Sequence, residues 1–449
     1  MSQALITPRT LKGFRDFLPA TMLRREQLME TARRVYRSFG FAPIETPVLE
    51  YLEILTGKGS EETDRQMYRF EDAGGRWVGM RFDLTVPLAR FCAQHAAELG
   101  TPFKRYHIAP VWRGENTHRG RYREFVQCDF DTIGTKSISA DIEVVLVIDQ
   151  LLRSIGVERF TMRINHRQVL NGLLEQLGIQ NNATSILRSL DKLGKIERDQ
   201  VIAEIVTNEA ATAEQAARIL DLVNVQGSAQ DVLSQLREQA GGHERTLAGV
   251  EQLRQIVEAA EAGGVAPERI AIDPSIARGL EYYTGTVYET FLDDLPGIGS
   301  VCSGGRYDNL AGLYTKQELP GVGASLGLDR LLAALEELGQ VPDTRTPAQV
   351  LVTLFDGERL NDYLRIASNL RAVGLNVEVF PDTKKLGQQL KYADRQGFRY
   401  AVIAGSNEFE ARQIQLKDLK SGEVRNIPLD DSCTALATAI QSGMAATST

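Results

Sequence analysis

At 449 residues, with 43% hydrophobic and 24% charged side chains, the chain can build two or three domains with ample core and has the composition of an ordinary soluble globular protein. Its 51 basic and 59 acidic residues give a net charge of −8, which excludes bulk attraction to nucleic acid and confines any such surface to a local basic patch. Cys92, Cys128, Cys302 and Cys433 form no CxxC pair, no apolar signal segment opens the chain and no run spans a bilayer, so a reduced cytoplasmic protein without structural zinc is expected.

Residues 11–19, LKGFRDFLP, read as an extended lead-in closed by proline. Apolar residues at Leu28, Ala32, Val35, Tyr36 and Phe39 predict a helix over 24–39, ended by Gly40. Pro43 and Pro47 give residues 41–49 the character of an edge strand or arm. Residues 65–70 and 77–86 predict a hairpin turning at 73–75, with Asp83 and Thr85 on one side of its second strand, and 88–99 reads as helix. Over 122–133 the residues alternate. Arg121, Arg123, Phe125, Gln127, Asp129 and Asp131 share one parity, which predicts an open polar face; Val126, Cys128 and Phe130 point to a core. A preceding alternating run, 105–113, completes a hairpin around the polar loop 115–120. A helix is predicted over 139–155 and a strand over 160–165. Residues 171–262, rich in Ala, Leu, Glu and Gln, read as a helical insertion. Strands return at 270–273 and 282–291. Residues 303–308, SGGRYD, look like a tight turn bringing Arg306 or Tyr307 to a ligand, with a plain turn equally open. Residues 321–338 read as a glycine turn into a long helix.

The domain plan is a unit over 1–340, a linker at 341–347, a small α/β domain over 348–430 and a C-terminal segment and tail over 431–449, disordered from Gln441. Strands at 350–355, 377–380, 400–404 and 414–419 alternate with helices near 359–373 and 384–396. Residues 350–430 hold 12 Lys/Arg against 11 Asp/Glu, so this domain is near neutral in an acidic chain.

Arg113 and Arg330 are candidate phosphate ligands, because a planar guanidinium binds phosphate oxygens two at a time. Taken singly, either reads better as a solvated surface arginine. Asp83, Gln127 and Asp131 suit an ammonium group or a heterocyclic N–H donor; Asp129 shares their parity, and residue type does not rank it against Asp131. RGLEYYTG, residues 278–285, packs a cation, two tyrosines and two glycines into one short stretch; on a regular strand Tyr282 would share a face with Arg278 and Tyr283 would not. His107 suits packing, and His118 solvent or a polynucleotide. No Ser-His-Asp order, zinc spacing or P-loop is present.

Together these stretches resemble the class II aminoacyl-tRNA synthetases and, among them, the histidyl-tRNA synthetase family. Residues 24–49 with Pro47 resemble the first class motif, the helix and arm of a dimer interface. Residues 103–130 with Arg113, Glu115 and GRYREF resemble the second, and GVGASLGLDRLL with Arg330 the third. ARGLEYYTG and SGGRYDNLAG resemble the two peptides peculiar to the histidine enzymes. The resemblance implies an α+β fold: a catalytic domain with an antiparallel sheet flanked by helices, the helical insertion, and a C-terminal α/β anticodon-binding domain, in a cytoplasmic homodimer.

It also implies roles. Asp83, Leu84, Thr85 and Gln127 would hold the α-amino group of histidine; Asp131 and Tyr283, with Tyr282 alongside, its imidazole. Arg113 would grip α-phosphate and carboxylate. Glu115, Arg121 and Phe125 would form the ATP site, Phe125 by stacking on adenine, and Arg330 would meet the γ-phosphate. Arg278 would be the catalytic cation beside Arg113. The substrates would be L-histidine, ATP with Mg²⁺ on its phosphates, and tRNA(His); no protein metal site and no membrane contact are expected. Many bacterial members carry Glu where this chain has Asp83 and Asp131, and RFDLTVP and QCDFD resemble the eukaryote-like branch. Two rival readings are a non-catalytic synthetase-like regulatory subunit of ATP phosphoribosyltransferase and a pure tRNA-binding or sensor module. Retention of Arg113, Arg278 and Arg330 opposes both, and the C-terminal domain opposes the first.

Overall fold

The computed structural model describes residues 5–56, 61–190, 192–193, 196–276, 282–341 and 345–445. The chain divides into two units, one of residues 1–16 with 27–339, the other of 17–26 with 340–449.

The first unit is built on an eight-stranded sheet. Its strands are β1 (Ala42–Pro43), β5 (Phe103–Trp112), β6 (Glu124–Ile133), β7 (Phe160–His166), β8 (Ile270–Ile272), β9 (Thr286–Leu292), β10 (Cys302–Tyr307) and β11 (Gly321–Gly327). Their order is β1-β5-β6-β11-β10-β9-β7-β8, antiparallel from β5 to β7 with a parallel strand at each edge. The expected antiparallel sheet flanked by helices is therefore present. One face is apolar: Tyr106, Cys128, Phe130, Ala324, Leu326, Tyr288 and Ile164 are all buried. Residues 27–38 of the helix Pro19–Ser38, and the helix Ile138–Ile155, cover it. Tyr36 stacks 5.1 Å from Phe130 and donates to the Cys128 carbonyl, while Tyr288 donates to that of Asp141. The first helix begins five residues before the predicted start, because Pro19 supplies a pre-set φ and no N–H where none is needed. The second starts at a Ser137 cap and stops at Gly156, whose φ of 95° suits glycine.

Several expectations are corrected. The predicted hairpin over 65–86 is shorter: β3 (Arg69–Glu71) and β4 (Trp77–Met80) pair in a three-stranded sheet with β2 (Leu49–Tyr51), and Arg65 closes a short helix instead. Asp83 and Thr85 are not in a strand. Thr85 opens the helix Thr85–Gln94, and an Asp83 oxygen accepts the Val86 N–H at 3.0 Å, so local capping overrides the alternation. Tyr282 and Tyr283 precede β9 rather than lying in it. SGGRYD is no tight turn; Ser303 to Tyr307 lie in β10, where glycines let neighbouring strands approach. Residues 321–327 are likewise a strand, with the helix Leu328–Glu337 after it. Arg306 points to the core face, away from the polar side of the sheet, and forms a buried ion pair with Asp141, 3.1 Å from Nε to either oxygen.

Between β7 and β8 the chain is helical, from Arg167–Gln176 to Glu244–Ala262. Glu197/Gln200, Thr212/Gln215 and Ser228/Asp231 capping boxes set three helix starts.

In the second unit, β12 (Val350–Val352), β13 (Val377–Val379), β14 (Tyr400–Ile403), β15 (Gln413–Asp418) and β16 (Val424–Pro428) form a sheet in the order β13-β12-β14-β15-β16, parallel at β12 and antiparallel beyond β14. Val350, Tyr363, Ile366, Tyr400 and Leu416 sit in its core. The helix Thr434–Ala445 packs Leu436 and Ile440 into that core, so Gln441–Ala445, expected to be disordered, is ordered. Among the described residues no helix is long and apolar enough to cross a membrane.

Candidate functional site

The polar face of the sheet is a floor. Register places Arg105, Asp131, Gly323 and Gly305 in one row across β5, β6, β11 and β10. His107, Asp129, Ser325 and Ser303 form the next, then Ala109, Gln127 and Gly327. This face was expected to be open. Instead Gln127, Asp129 and Asp131 are at most 9% exposed, because the Asp83 turn and the tyrosine pair roof it.

Asp131 accepts a hydrogen bond from Tyr307 through Oδ1, and its Oδ2 lies 2.7 Å from Nη2 of Arg105. Gln127 donates to Ser325 at 3.1 Å, leaving its carbonyl oxygen without a partner among the described residues. One Asp129 oxygen and Asp131 Oδ2 are in the same position, so the Arg105–Asp131 contact is a charge pair without hydrogen-bond geometry. Burial raises the pKa of Asp83, Asp129 and Asp131 against the pull of nearby cations: Arg105 acts on Asp129 and Asp131, and Arg113, after the Val86 N–H, on Asp83. Tyr282 is buried with Leu88, Cys92 and Tyr307, and its hydroxyl donates to Asp83 at 3.4 Å. Tyr283 rests against Gly305 and the Tyr282 ring; burial and then Asp131 push its pKa up, so it is a donor at neutral pH. Leu84 is fully buried with Ala109 and Val111, so only its backbone is available to a ligand.

Arginines gather at the other end of the floor. Arg113 donates from Nε to the Phe82 carbonyl at 3.1 Å, with the Phe82 and Phe125 rings 4.4 and 5.1 Å from its guanidinium. Glu115, placed in a polar loop from the sequence, is buried and pairs with Arg121. Arg330, in the first turn of Leu328–Glu337, donates to the Ser300 carbonyl at 2.6 Å. Burial lowers its pKa and Arg121 and Arg113 lower it further, while Glu115 and Glu289 oppose them. Three guanidinium groups thus share one space, an arrangement for a polyanion. Arg15 of the lead-in stacks 3.2 Å over the Tyr122 ring and pairs with Asp329, which accepts the Val126 N–H and ties β6 to that helix. Arg278 lies outside the described residues.

The alternation in 105–133 thus brings Arg113, Phe125, Gln127 and Asp131 to one face. Arg105 and Ser325 were not singled out as ligands or supports, and Tyr307 only as an alternative to Arg306 in a turn, although period-two spacing already put Arg105 on the face of Arg113. Exposed His118 sits at the tip, its Nδ1 2.9 Å from the Arg119 carbonyl. His107 is packed as expected, but neither ring nitrogen is hydrogen-bonded among the described residues. Burial, with Arg105 and Arg81 nearby, lowers its pKa to about 3. The unfolded chain, at an ordinary ~6.5, binds the proton first, so stability is full above ~6.5 and is lost as pH falls toward 3. His107→Gln should remove roughly 2 kcal/mol of the loss at pH 5. Thermal melts of both proteins from pH 7 to 4 check this; parallel declines would contradict it.

Residues 13–331 match the family model described as Histidyl-tRNA synthetase, and residues 349–438 that described as Anticodon binding domain. A histidine–tRNA ligase of Rhodopirellula baltica is 64% identical over 438 residues, 97% of this chain and 99% of that protein. The crystal structure of histidyl-tRNA synthetase from Nostoc sp. PCC 7120 superposes with a TM-score of 0.89 at 38% identity, covering 98% of this chain and 100% of that one. An ATP phosphoribosyltransferase regulatory subunit/histidyl-tRNA synthetase from Bacillus halodurans shares the fold, at 22% identity and a TM-score of 0.73, over 87% of this chain and 97% of that one.

Proposed function

The chain belongs to the histidyl-tRNA synthetase family, and on that premise we propose how its residues divide the work of a histidine–tRNA ligase. L-histidine and ATP give histidyl-adenylate and pyrophosphate, and the 3′ end of tRNA(His) then takes the histidine. The observation that carries the residue assignment is one floor with two ends, carboxylates and tyrosines at one and guanidinium groups at the other.

At the first end Asp83 and the free carbonyl of Gln127 accept from the α-ammonium group, with the Leu84 and Thr85 backbone beside them. Asp131 accepts from one imidazole N–H, and the Tyr283 hydroxyl donates to the other ring nitrogen, with Tyr282 holding Asp83. Specificity follows, because an analogue lacking these groups leaves buried polar atoms unpaired. At the second end Arg113 grips the α-phosphate and the substrate carboxylate, Phe125 stacks on adenine, Glu115 and Arg121 complete the ATP site and Arg330 meets the γ-phosphate. The carboxylate oxygen attacks the α-phosphorus, the bond to the β-phosphate breaks and pyrophosphate leaves. Two anions must approach, and fixed cations offset their repulsion as charge shifts to the leaving oxygen. Arg278 is assigned the catalytic cation on the strength of RGLEYYTG alone. In the second step a ribose hydroxyl attacks the acyl carbon and AMP departs. Mg²⁺ would ride on the ATP phosphates and keep several of its own waters, the usual way this ion is held beside a nucleotide.

The family match at 349–438 and the nearly full-length match to a histidine–tRNA ligase favour the ligase over the regulatory-subunit reading. The second unit is then the anticodon-binding domain. The test is charging: purified protein with labelled histidine and ATP should acylate a tRNA(His) transcript and not one carrying another identity; failure to charge would overturn the ligase.

We also propose a cytoplasmic homodimer. Tyr51, Val78 and Phe70 pair across β2, β4 and β3, with Leu49 and Met80 next along the same face, and Tyr51 and Phe70 are 52% and 45% exposed. An apolar face of this kind calls for a partner. Tyr51→Glu with Phe70→Glu should halve the mass measured by light scattering; an unchanged mass would move the interface elsewhere.

A further inference from the structure

Arg105 sits on β5 directly opposite Asp131 and is 0% exposed. Its Nη2 is 2.7 Å from Asp131 Oδ2, an ion pair that lacks the angle of a hydrogen bond, so its hold on the carboxylate is electrostatic. On the other side of Asp131 the Tyr307 hydroxyl crosses the whole width of β11 to donate to Oδ1. That crossing requires glycine twice. A Cβ on Gly321 would lie 2.4 Å from the Tyr307 ring, and one on Gly323 would lie 2.3 Å from Asp131 Oδ1. The glycine spacing of GVGASLG, weak as a motif, thus has a concrete use: it opens a lane between a tyrosine and a carboxylate two strands apart.

We propose that Arg105 is a positioning residue for the side chain of the amino acid: with Tyr307 it pins the Asp131 carboxylate in one orientation and keeps it anionic, so that the site offers a fixed acceptor to an imidazole N–H. This rests on the assignment of the imidazole to Asp131. The groups that face Asp131 make the need plain. Asp129 on β6 and Asp83 ahead of the helix Thr85–Gln94 are like charges. Tyr283 and Tyr307 are neutral donors, and Cys92 on the same helix is a thiol held protonated by burial, with a pKa of about 12. Arg105 is the cation that reaches Asp131 among the described residues. Burial opposes the guanidinium charge, but Asp131 and Asp129 outweigh it and raise its pKa, so Arg105 stays ionised throughout the working range. Without it, two neighbouring carboxylates and a dry site would favour a protonated Asp131, which is no longer an obligate acceptor.

The test is histidine-dependent exchange of pyrophosphate into ATP by full-length Arg105→Met, Arg105→Lys, Asp131→Asn and the Arg105→Met/Asp131→Asn double variant. Arg105→Met should raise KM for histidine at least tenfold with KM for ATP within twofold. It should also move the acid limb of kcat/KM for histidine to higher pH by a unit or more, and Arg105→Lys should restore most of both. The double variant should be no worse than the poorer single variant, because Arg105 acts through Asp131. Additive losses, equal changes in the two KM values or an unmoved acid limb would overturn the proposal. If Arg105→Met does not fold, Tyr307→Phe asks the same question from the other side and must show the same bias toward histidine; equal effects on both substrates would overturn it. Absence of exchange in the wild-type protein would instead remove the ligase reading beneath it.

Discussion

Replacing Arg113 by glutamine is expected to slow adenylate formation by roughly 10²–10³-fold, the loss seen when one preorganised charge-stabilising donor is removed. Its position explains the size. Arg113 is held by the Phe82 carbonyl and two aromatic faces, so the protein orders the guanidinium before substrate arrives. Asp83 and Glu115 stand near it, with Arg121 beyond. It therefore lies between the acidic end of the floor and the arginine cluster, where a substrate carboxylate and an α-phosphate would meet. Glutamine retains a donor but not the charge that offsets their repulsion. Single-turnover adenylate formation measures the effect, with circular dichroism as the check on folding. A rate within threefold of wild type would show that Arg113 does not touch the reacting groups.

Asp131→Asn is expected to raise KM for histidine by about 10–100-fold while leaving KM for ATP within twofold, the range of one charge-assisted hydrogen bond. The same change leaves Arg105 as a buried charge without its anion, so the melting temperature should fall as well; breaking a buried pair costs on the order of 3–5 kcal/mol. The two readouts separate the roles. Loss of stability with no bias toward histidine would make Asp131 a structural acid only, and equal losses for both substrates would take it out of the imidazole site.

Much of this site was legible before any coordinates, because a strand's two-residue period obliges Phe125, Gln127, Asp129 and Asp131 to share a face. The same rule, with the register to β5, explains why Arg113 joins them. What alternation could not give is depth. A face of cations, amide and carboxylates looks solvent-exposed in sequence, yet the Asp83 turn and Tyr282 cover it, and both come from remote segments. Asp83 itself was misplaced in a strand because a side-chain cap, which depends on one hydrogen bond to Val86, leaves little trace in hydropathy. Glycine-rich stretches were the other source of error. SGGRYD and GVGASLG carry turn composition, but their glycines serve close approach inside a sheet, and which side chain needs the space is known only once Tyr307 and Asp131 are seen across β11. Asp129 and Asp131 were equal candidates by parity; the Tyr307 hydrogen bond and the Arg105 ion pair at the second are what support the proposal that it meets the imidazole. The last turn of the final helix, from Gln441, was read as a disordered tail because of its small residues, and packing of Leu436 and Ile440 earlier in that helix decided it.

The most direct measurement is exchange of labelled pyrophosphate into ATP by the purified chain, without tRNA, in the presence of each of the twenty amino acids in turn. The account predicts exchange with histidine alone, abolished by Arg278→Ala and strongly reduced by Arg113→Gln. Exchange driven by another amino acid, or none with histidine by a folded protein, would contradict it.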